Sequence, residues 1–125
     1  MNGRKGVPSI QMEPTADNKS VHAAFRIVIP ANKWHEVLMI LNSVMELIRL
    51  EEGCVSCRLY MDLQEEGALM LEQNWSSQRD LERHLRTDIF RTVLLVLEMA
   101  AEAPEIRFDV IERTTGLDTI RRIRE

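Results

Sequence analysis

The sequence predicts an α+β fold with one four-stranded antiparallel sheet that carries helices on one face. Strand-like and helix-like segments follow one another in the order β-α-β-β-α(α)-β. A polar turn, QEEG at 64–67, joins the second and third strand-like segments directly, which indicates a hairpin. With 125 residues the chain is long enough for one core and too short for two, so these elements form a single domain.

The first two elements lie between residues 20 and 50. The segment 20–30, SVHAAFRIVIP, is rich in β-branched and aromatic residues and stops at Pro30, which predicts a strand. From 32 to 50 the apolar residues recur at helical spacing on one side, and they are Trp34, Val37, Leu38, Leu41, Val44, Met45 and Ile48. Gly53, a residue that readily takes a positive φ angle, ends this helix.

The second and third strands form the hairpin. From 54 to 63 the residues alternate, so that Cys57 and Leu59 point to one face of the strand and Cys54 and Arg58 to the other. After the turn, ALMLEQNW at 68–75 is predicted to be the third strand.

Two helices and a last strand complete the domain. Ser77, with Asp80 three residues later, matches a capping box that opens a helix. Thr87 begins a second helical stretch, which is apolar almost all round and which Pro104 closes. The alternation over 106–110 predicts the fourth strand. This order of elements is that of the ferredoxin-like, split β-α-β fold.

The chain divides into three regions. Residues 1–19 are rich in Gly, Pro and polar residues and are predicted to be a flexible arm; residues 20–113 form the globular domain, and residues 114–125 are a C-terminal extension. The first residues lack the apolar segment of a signal peptide, and no apolar run reaches the roughly 18 residues of a membrane span. We therefore expect a cytoplasmic protein with no membrane partner.

Charge is spread along the chain. The net charge is −4, with acidic and basic residues interleaved, which argues against a nucleic-acid partner. One basic cluster, formed by Arg121, Arg122 and Arg124, lies near the C-terminal end and is typical of a solvated helix end. No binding of nucleic acid is expected.

The two cysteines, Cys54 and Cys57, have the C-x-x-C spacing of redox dithiols and of half zinc sites. Residues three apart on a regular strand point to opposite faces, so these thiols could not form a disulfide or share a metal. Zinc would need two further ligands, and His22, His35 and His84 lie in different elements. We predict no metal site and chemically idle cysteines, unless a bulge at the preceding glycine turns Cys54.

The sheet face away from the helices needs a cover. The first and third strands are apolar on both faces, with Phe25 and Val28 in the first strand and Leu69 and Met70 in the third. A sheet face in water should instead be polar. We therefore expect a homodimer in which a second copy covers the open face.

Two motifs resemble a known family. The run E-x-G-C-x-x-x-R-L-Y precedes the hairpin turn, and N-W-S-S-x-x-x-L-x-x-H-L-x-x-x-x-F follows it. Together they resemble the antibiotic biosynthesis monooxygenase family of small dimeric ferredoxin-like proteins, over a span from about Phe25 to Val110. The most specific element is a tryptophan that ends the third strand and a histidine nine residues later, here Trp75 and His84.

The resemblance implies a homodimer with its sheets packed together, a dimeric α/β barrel-type assembly, and a pocket in each subunit between sheet and helices. Family members include oxygenases that convert hydroquinones or phenolic polyketide rings to quinones with dioxygen and without metal or flavin. By this resemblance, the chain is a small cofactor-independent monooxygenase. Its ligand would be a small aromatic molecule, a hydroquinone or a phenol, and it would need no cofactor.

The chain also departs from the family pattern. Members often carry an aromatic residue where Cys57 stands, an acid where Gln73 stands and a second histidine where Ile89 stands. The haem-degrading branch uses an asparagine in the first strand and a histidine in the last helix, where this chain has Phe25 and Leu94. The resemblance therefore argues against haem degradation.

Cofactor-free oxygenation needs a base, apolar walls and hydrogen-bond donors. His84 is the candidate base, because an imidazole titrates near neutral pH. Trp75 is the second candidate catalytic residue and, with Phe25 and Phe90, a candidate wall. The candidate substrate-binding donors are Tyr60, Asn74 and Arg86. Of these, Asn74 points away from Trp75 on a regular strand.

Other roles are open for these residues and for the protein. Trp75 could pack in the core, and His84 could bind a neighbouring loop. The adjacent acids Glu51 and Glu52 are typical of an exposed turn rather than of an acid-base pair. The alternative functions are a non-catalytic dimeric protein that binds small molecules or is associated with stress, and a purely structural interaction domain.

Overall fold

The computed structural model describes residues 19–125, so the arm expected at residues 1–19 lies outside the described residues except for its last position. The elements are β1 (Val21–Val28), α1 (Trp34–Ile48), β2 (Cys54–Met61), β3 (Ala68–Trp75), α2 (Gln78–Leu85), α3 (Asp88–Glu98), β4 (Glu105–Val110) and α4 (Leu117–Arg124). The order is the expected one, with α4 added in the C-terminal extension. Over these residues, no helix is long and apolar enough to cross a membrane.

The four strands form one antiparallel sheet in the order β2-β3-β1-β4. β1 lies between two neighbours, with Phe25 opposite Leu71 of β3 and opposite Ile106 of β4. β2 and β4 are the edge strands. The ferredoxin-like α+β fold that the sequence predicts is therefore confirmed.

One face of the sheet carries the core. Alternate residues of the two central strands point toward the helices and are buried, and they are Val21, Ala23, Phe25, Ile27, Leu69, Leu71 and Trp75. The helices cover them with Val37, Leu41, Val44, Met45 and Ile48 of α1 and Val93, Val96 and Leu97 of α3. Each such side chain contributes about 1.5–3 kcal/mol when fully buried. The apolar stripe expected on the first helix is therefore the surface that packs.

Two capped helix starts shape the chain after β3. The Ser77 hydroxyl accepts a hydrogen bond from the Asp80 N–H at 3.1 Å, and the Thr87 hydroxyl accepts one from the Phe90 N–H at 3.1 Å. Both bonds satisfy donors that a helix start leaves without a partner. Because the Thr87 cap follows the Ser77 cap closely, α2 has only 8 residues. This short helix places His84 over the end of the sheet.

Two turns require glycine. Gly53 and Gly67 have positive φ angles of 86° and 85°, a region that other residues rarely adopt. A Cβ at Gly53 would collide with the Asp80 side chain, and one at Gly67 would lie 2.7 Å from the Ile29 carbonyl oxygen. The Gly53 carbonyl also accepts a 2.8 Å hydrogen bond from the Ser76 N–H. The turn after α1 therefore packs tightly against the start of α2.

A β-bulge in β2 corrects the expected arrangement of the cysteines. The register shifts just after Cys54, so that Cys54 lies opposite Trp75 and Cys57 lies opposite Gln73. Trp75 and Gln73 are two residues apart and share one side of β3, so both cysteines lie on that side. The expectation of opposite faces was wrong, because one extra residue in β2 shifts the alternation.

The open face of the sheet mixes ion pairs with apolar side chains. His22 Nε2 lies 3.0 Å from a Glu72 carboxylate oxygen, and an Arg26 guanidinium nitrogen lies 2.6 Å from Glu65. The apolar residues of β1 and β3 on this face are Ala24, Val28, Ala68 and Met70. The expectation that both strands are apolar on both faces is met only in part, because His22, Arg26 and Glu72 interrupt the apolar surface.

Candidate active site

Trp75 and His84 lie against each other in the core. Trp75 ends β3 on the helix-facing side, and His84 lies on α2, about two turns after the Ser77 cap. Their rings stack with centroids 4.7 Å apart and an angle of 26° between the planes. Both side chains are 0% exposed. The histidine that the sequence singles out is therefore a buried residue.

A carboxylate holds the His84 ring. The two Glu51 carboxylate oxygens lie 2.9 and 3.0 Å from His84 Nδ1. A carboxylate can only accept hydrogen bonds, so Nδ1 carries the hydrogen and Nε2 of the neutral ring keeps its lone pair. The Glu51 side chain is 16% exposed, whereas that of the neighbouring Glu52 is 82% exposed. The pair orients Nε2 as a basic nitrogen inside the protein.

Glu51 is a site residue that sequence reasoning missed, because both adjacent glutamates were assigned to an exposed turn. That expectation fits Glu52 and not Glu51, whose turn packs against α2 through Gly53 and Ser76. The available signal was the E-x-G-C motif. A glycine with positive φ that has no room for a Cβ marks a turn held against a neighbouring element, and a side chain next to such a turn can reach that element.

Burial makes His84 a weaker base than a free imidazole. Loss of hydration lowers the pKa of His84 below its usual 6.5, and the hydrogen bond and charge of Glu51 oppose this shift without cancelling it. The ring is therefore neutral at pH 7. The unfolded chain takes up a proton near pH 6.5 and the folded site only at lower pH. The resulting contribution to stability is thus present above pH 6.5 and is lost as the pH falls toward the folded pKa.

Two buried polar atoms beside Trp75 have no hydrogen-bond partner within the described part of the chain, Nε2 of His84 and Nε2 of Gln73. Gln73 is 0% exposed, and its Oε1 accepts a 2.9 Å hydrogen bond from the Trp75 indole N–H. This bond fixes the amide and leaves its NH₂ group without an acceptor. An unpaired buried polar group costs about 1–3 kcal/mol. The His84 lone pair and the Gln73 NH₂ donor, both on residues that contact Trp75, are the kinds of group that a ligand hydroxyl can pair with.

A row of rings connects His84 with the protein surface. Phe90 lies edge-on to His84 with centroids 5.4 Å apart, Phe25 lies 5.9 Å from Phe90, and Phe108 lies 5.9 Å from Phe25. The row begins at the fully buried His84 and ends on β4 at Phe108, which is 38% exposed. Two residues expected to form walls, Phe25 and Phe90, therefore lie between the His84 ring and the β4 edge.

Three residues expected to bind substrate lie elsewhere. Tyr60 and Asn74 point to the open face of the sheet, where the Asn74 amide donates a 2.9 Å hydrogen bond to the Ser56 hydroxyl. Arg86 follows α2, and its side chain is 75% exposed. The sheet separates Tyr60 and Asn74 from His84, and Arg86 faces solvent. The amide donor beside Trp75 is instead Gln73, a second residue that sequence reasoning missed.

Both cysteines are free thiols with raised pKa values. Burial raises the pKa of Cys57 to about 12 and also raises that of Cys54. Such thiols stay protonated at neutral pH and are poor nucleophiles and poor metal ligands. Between residues 19 and 125, no three His, Cys, Asp or Glu side chains come together in a way that could hold a metal ion.

We expect Cys57→Ser to lower the free energy of unfolding by about 1–3 kcal/mol, because a hydroxyl would replace a thiol that packs in the apolar core. Cys54→Ser, at a half-buried position, is the matched control and should cost less. Urea unfolding of both variants measures the difference. Retention of one zinc ion per chain, or a Cys54–Cys57 disulfide under reducing conditions, would contradict the idle role of the thiols.

A separate cavity of about 570 Å³ lies at the end of β3 opposite Trp75. Its lining consists of Ile29, Ala31, Trp34, Met61, Asp62, Glu66 and Gly67. Asp62 already lies 3.4 Å from the Arg26 guanidinium. None of these lining residues is a histidine, so the cavity offers no base that titrates near neutral pH. The buried cluster around His84 is therefore the stronger candidate for an active site.

Solved structures of low sequence identity share this fold. A conserved protein from Methanosarcina mazei Go1 superposes with a TM-score of 0.69 at 22% identity, covering 76% of this chain and 95% of that one. A provisionally named antibiotic biosynthesis monooxygenase of Caulobacter crescentus CB15 gives 0.71 at 19% identity, over 79% and 95%. Another structure, an antibiotic biosynthesis monooxygenase, gives 0.66 at 19% identity, over 76% and 99%. These likenesses define the class as ferredoxin-like α+β proteins.

Residues 20–94 match the family model for antibiotic biosynthesis monooxygenase. The match covers more than half of the chain and includes Glu51, Gln73, Trp75 and His84. The chain belongs to the antibiotic biosynthesis monooxygenase family, as the sequence motifs indicate. A search of curated protein sequences finds no significant match.

Proposed function

We propose that this protein is a small cofactor-independent monooxygenase that oxidises a hydroquinone or phenolic aromatic compound with dioxygen. The observation that carries the proposal is Nε2 of His84, a buried basic nitrogen that Glu51 orients and that has no partner among residues 19–125. An imidazole held in this way is prepared to accept a proton from a substrate. Membership of the family supports an oxygenase reaction.

The ligand that we propose for the cluster is a flat ring with an acidic hydroxyl group. Trp75, Phe90 and Phe25 present aromatic surfaces, against which another ring packs well at centroid distances of about 4.5–7 Å. A phenolic hydroxyl can donate to His84 Nε2 and accept from the Gln73 amide. Both unpaired atoms then gain partners, whereas an aliphatic hydrocarbon would leave both unpaired.

In the proposed reaction, His84 Nε2 takes the phenolic proton while Nδ1–H stays bonded to Glu51. The phenolate passes one electron to dioxygen, and the two radicals combine to form a ring peroxide, which the imidazolium protonates. Loss of the ring C–H proton and cleavage of the O–O bond leave a carbonyl on the ring and release water. A phenol thus gives a quinone and water, and a hydroquinone gives a hydroxyquinone and water.

Gln73 and Glu51 support this chemistry in different ways. The Gln73 NH₂ group donates to the phenolate oxygen and stabilises its negative charge in a site from which water is excluded. Glu51 does not touch the substrate. It is a positioning residue that keeps the hydrogen on Nδ1 and the lone pair on Nε2, as a carboxylate does in other histidine-based sites.

Dioxygen uptake by the full chain with a panel of hydroquinones and phenols tests the proposal. We expect one dioxygen per substrate, with one ¹⁸O atom from labelled dioxygen in the quinone and one in water. Release of hydrogen peroxide with no label in the product would contradict a monooxygenase. Saturable binding without dioxygen uptake would support the alternative, a non-catalytic small-molecule-binding protein of the same fold.

We expect Glu51→Gln to move the acid limb of the pH profile of kcat/KM to lower pH. Turnover needs neutral His84, so it falls as the pH drops through a pKa that lies below 6.5. Glu51 raises that pKa, and glutamine keeps an acceptor while removing the charge. Glu52→Gln, at a side chain that is 82% exposed, is the control and should leave the limb in place. A limb that stays or moves upward in Glu51→Gln would exclude this role.

We also propose a homodimer in which the open faces of two sheets pack together. The His22 and Glu72 side chains on that face are each 28% exposed, and the apolar Val28 and Met70 share the face with them. A second copy would bury this mixed surface, and an obligate interface of this kind exceeds about 2,000 Å². Sedimentation velocity at micromolar concentration should show a dimer, and a stable monomer would count against it.

A further inference from the structure

The cavity at the other end of the sheet from His84 has a size and a place of its own. Its volume is about 570 Å³, within the range of about 300–1,000 Å³ that is usual for sites that hold small molecules. β3 runs from Ala68, next to the cavity, to Trp75, and at about 3.3 Å per residue its two ends lie roughly 23 Å apart. A ligand in this cavity would therefore not touch the cluster around His84.

Two segments that are distant in the sequence form the walls of the cavity. One wall follows β1 and includes Ile29 and Trp34, and the other is the hairpin turn at 61–67. The Ile29 N–H donates a 2.8 Å hydrogen bond to the Gly67 carbonyl oxygen. A Cβ at Gly67 would lie only 2.7 Å from the Ile29 carbonyl oxygen, so a residue without a side chain is needed there. The two walls are thus held at a fixed distance.

The hairpin turn is also fixed by its own hydrogen bonds. The Asp62 N–H donates to the Ala68 carbonyl oxygen at 3.0 Å, and Asp62 Oδ1 accepts a 2.8 Å hydrogen bond from the Gln64 N–H. The Arg26 guanidinium donates to a Glu65 carboxylate oxygen at 2.6 Å. A ligand would therefore enter a preformed site, and its binding would not include the free-energy cost of ordering the turn.

The charged side chains that line the cavity are acidic. They are Asp62 and Glu66, and none of the lining residues, all within residues 19–125, is a lysine, an arginine or a histidine. The Gln64 N–H and the Arg26 guanidinium hold the pKa of Asp62 below its usual value, so Asp62 is a carboxylate at neutral pH. The Glu66 side chain makes no hydrogen bond or ion pair with residues 19–125. It therefore lacks a counter-ion within the described part of the chain.

Two cations lie near the cavity without neutralising it. The Arg26 guanidinium lies 2.6 Å from Glu65 and 3.4 Å from Asp62, so it is bonded mainly to an acid outside the lining. Lys33 is exposed and is not one of the lining residues. The turn holds three acids, Asp62, Glu65 and Glu66, against one paired arginine. The side of the cavity that the turn forms keeps a net negative charge.

The rest of the lining is aromatic and aliphatic. Trp34 is half-buried, and Ile29 and Met61 provide apolar surface beside it. An indole ring attracts a cation within about 6 Å of its centroid. We propose that this cavity binds a small organic cation, in which an ammonium group is joined to an apolar group. The ammonium group pairs with Glu66 and Asp62, and the apolar group packs against Trp34 and Met61.

Titration of full-length ¹⁵N-labelled protein with 2-phenylethylamine tests this site without any turnover. The chain has two tryptophans, so two indole N–H signals report on the two ends of the sheet. The Trp34 signal should shift to saturation, and the Trp75 signal, whose N–H is bonded to Gln73, should stay in place. Trp34→Phe identifies the first signal by removing it. The neutral analogue 2-phenylethanol should bind at least about fivefold more weakly, because it lacks the positive charge.

Matched variants test the charge of the lining. Glu66→Gln should weaken binding of the amine about three- to tenfold and leave binding of the alcohol unchanged, because only the charge is removed. Glu46→Gln, at an exposed acid of α1 outside the lining, is the control and should change neither affinity. High salt should weaken binding of the amine alone.

Saturation at the Trp34 signal, with preference for the amine and dependence on Glu66, supports the proposal. Equal affinity for amine and alcohol, an unchanged affinity in Glu66→Gln, or a shift of the Trp75 signal in place of the Trp34 signal overturns it. The same holds if no signal saturates by about 10 mM amine, because a ligand of this size is expected to have a Kd of about 1 mM. Since no dioxygen uptake is measured, this result is independent of the oxygenase reaction.

Discussion

His84→Ala should lower kcat/KM about 10²- to 10⁴-fold on a verified hydroquinone or phenol substrate, the range expected when a general base is lost. The loss follows from the position of Nε2, the unpaired basic nitrogen beside the ring cluster. Steady-state dioxygen uptake measures it. Imidazole added to the His84→Ala variant should restore part of the rate, because the deleted ring leaves space for a free base next to Glu51.

Two control variants distinguish the loss of a general base from the loss of the native fold. His84→Gln can keep a hydrogen bond to Glu51 but has no basic nitrogen, so it should lose as much activity while it retains the native circular dichroism spectrum. His35→Ala removes an exposed histidine of α1 and should change neither rate nor stability. Full activity in folded His84→Gln would remove His84 from the mechanism.

Trp75→Ala should lower the free energy of unfolding by about 3–5 kcal/mol, as expected for the loss of a fully buried aromatic ring. The substitution leaves a cavity and also removes the indole N–H that bonds to Gln73. The Gln73 amide would then have neither of its groups paired. Urea unfolding monitored by circular dichroism measures the loss.

The other tryptophan is the matched control. Trp34 is only partly buried and borders an existing cavity, so Trp34→Ala should cost less than about half as much. Trp75→Phe keeps an aromatic ring, should destabilise less than Trp75→Ala, and should mainly weaken ligand binding. A cost of Trp75→Ala no greater than that of Trp34→Ala would contradict the central place of Trp75 in the core.

Much of the fold could be predicted, because the helical and strand periodicities of the apolar residues indicate directly which residues are buried. The stripe from Val37 to Ile48 and the row Phe25 and Ile27 became core residues as expected. The Ser77 cap was also readable, since capping depends on local side-chain chemistry. These features require no knowledge of distant contacts.

The features that could not be predicted depend on a single extra residue in a strand or on the close approach of two elements that are distant in the sequence. One residue added to β2 moves Cys54 onto the face of Cys57, and alternation alone cannot reveal a bulge. The exposure of the helix-facing side of β4 could not be predicted either, because the alternation of residues around Phe108 is the same with or without a covering helix.

The candidate site was readable only in part. The family motif that contains Trp75 and His84 pointed to its centre. Glu51 and Gln73 were missed because their roles arise from the turn at Gly53 and from the side of β3 that they share with their neighbours. Tyr60 and Asn74 have suitable chemistry but lie on the other side of the sheet.

The most direct test is the ¹⁵N spectrum of His84 in full-length protein at neutral pH, with and without a bound hydroquinone under anaerobic conditions. Without ligand, the hydrogen should be on Nδ1 and the Nε2 signal should be that of an unprotonated nitrogen. Binding should shift the Nε2 signal strongly, because the substrate hydroxyl donates to it, and His84→Gln identifies the resonance by removing it. A hydrogen on Nε2, or an Nε2 signal that stays unchanged while the ligand saturates, would contradict the assignment of His84 as the base.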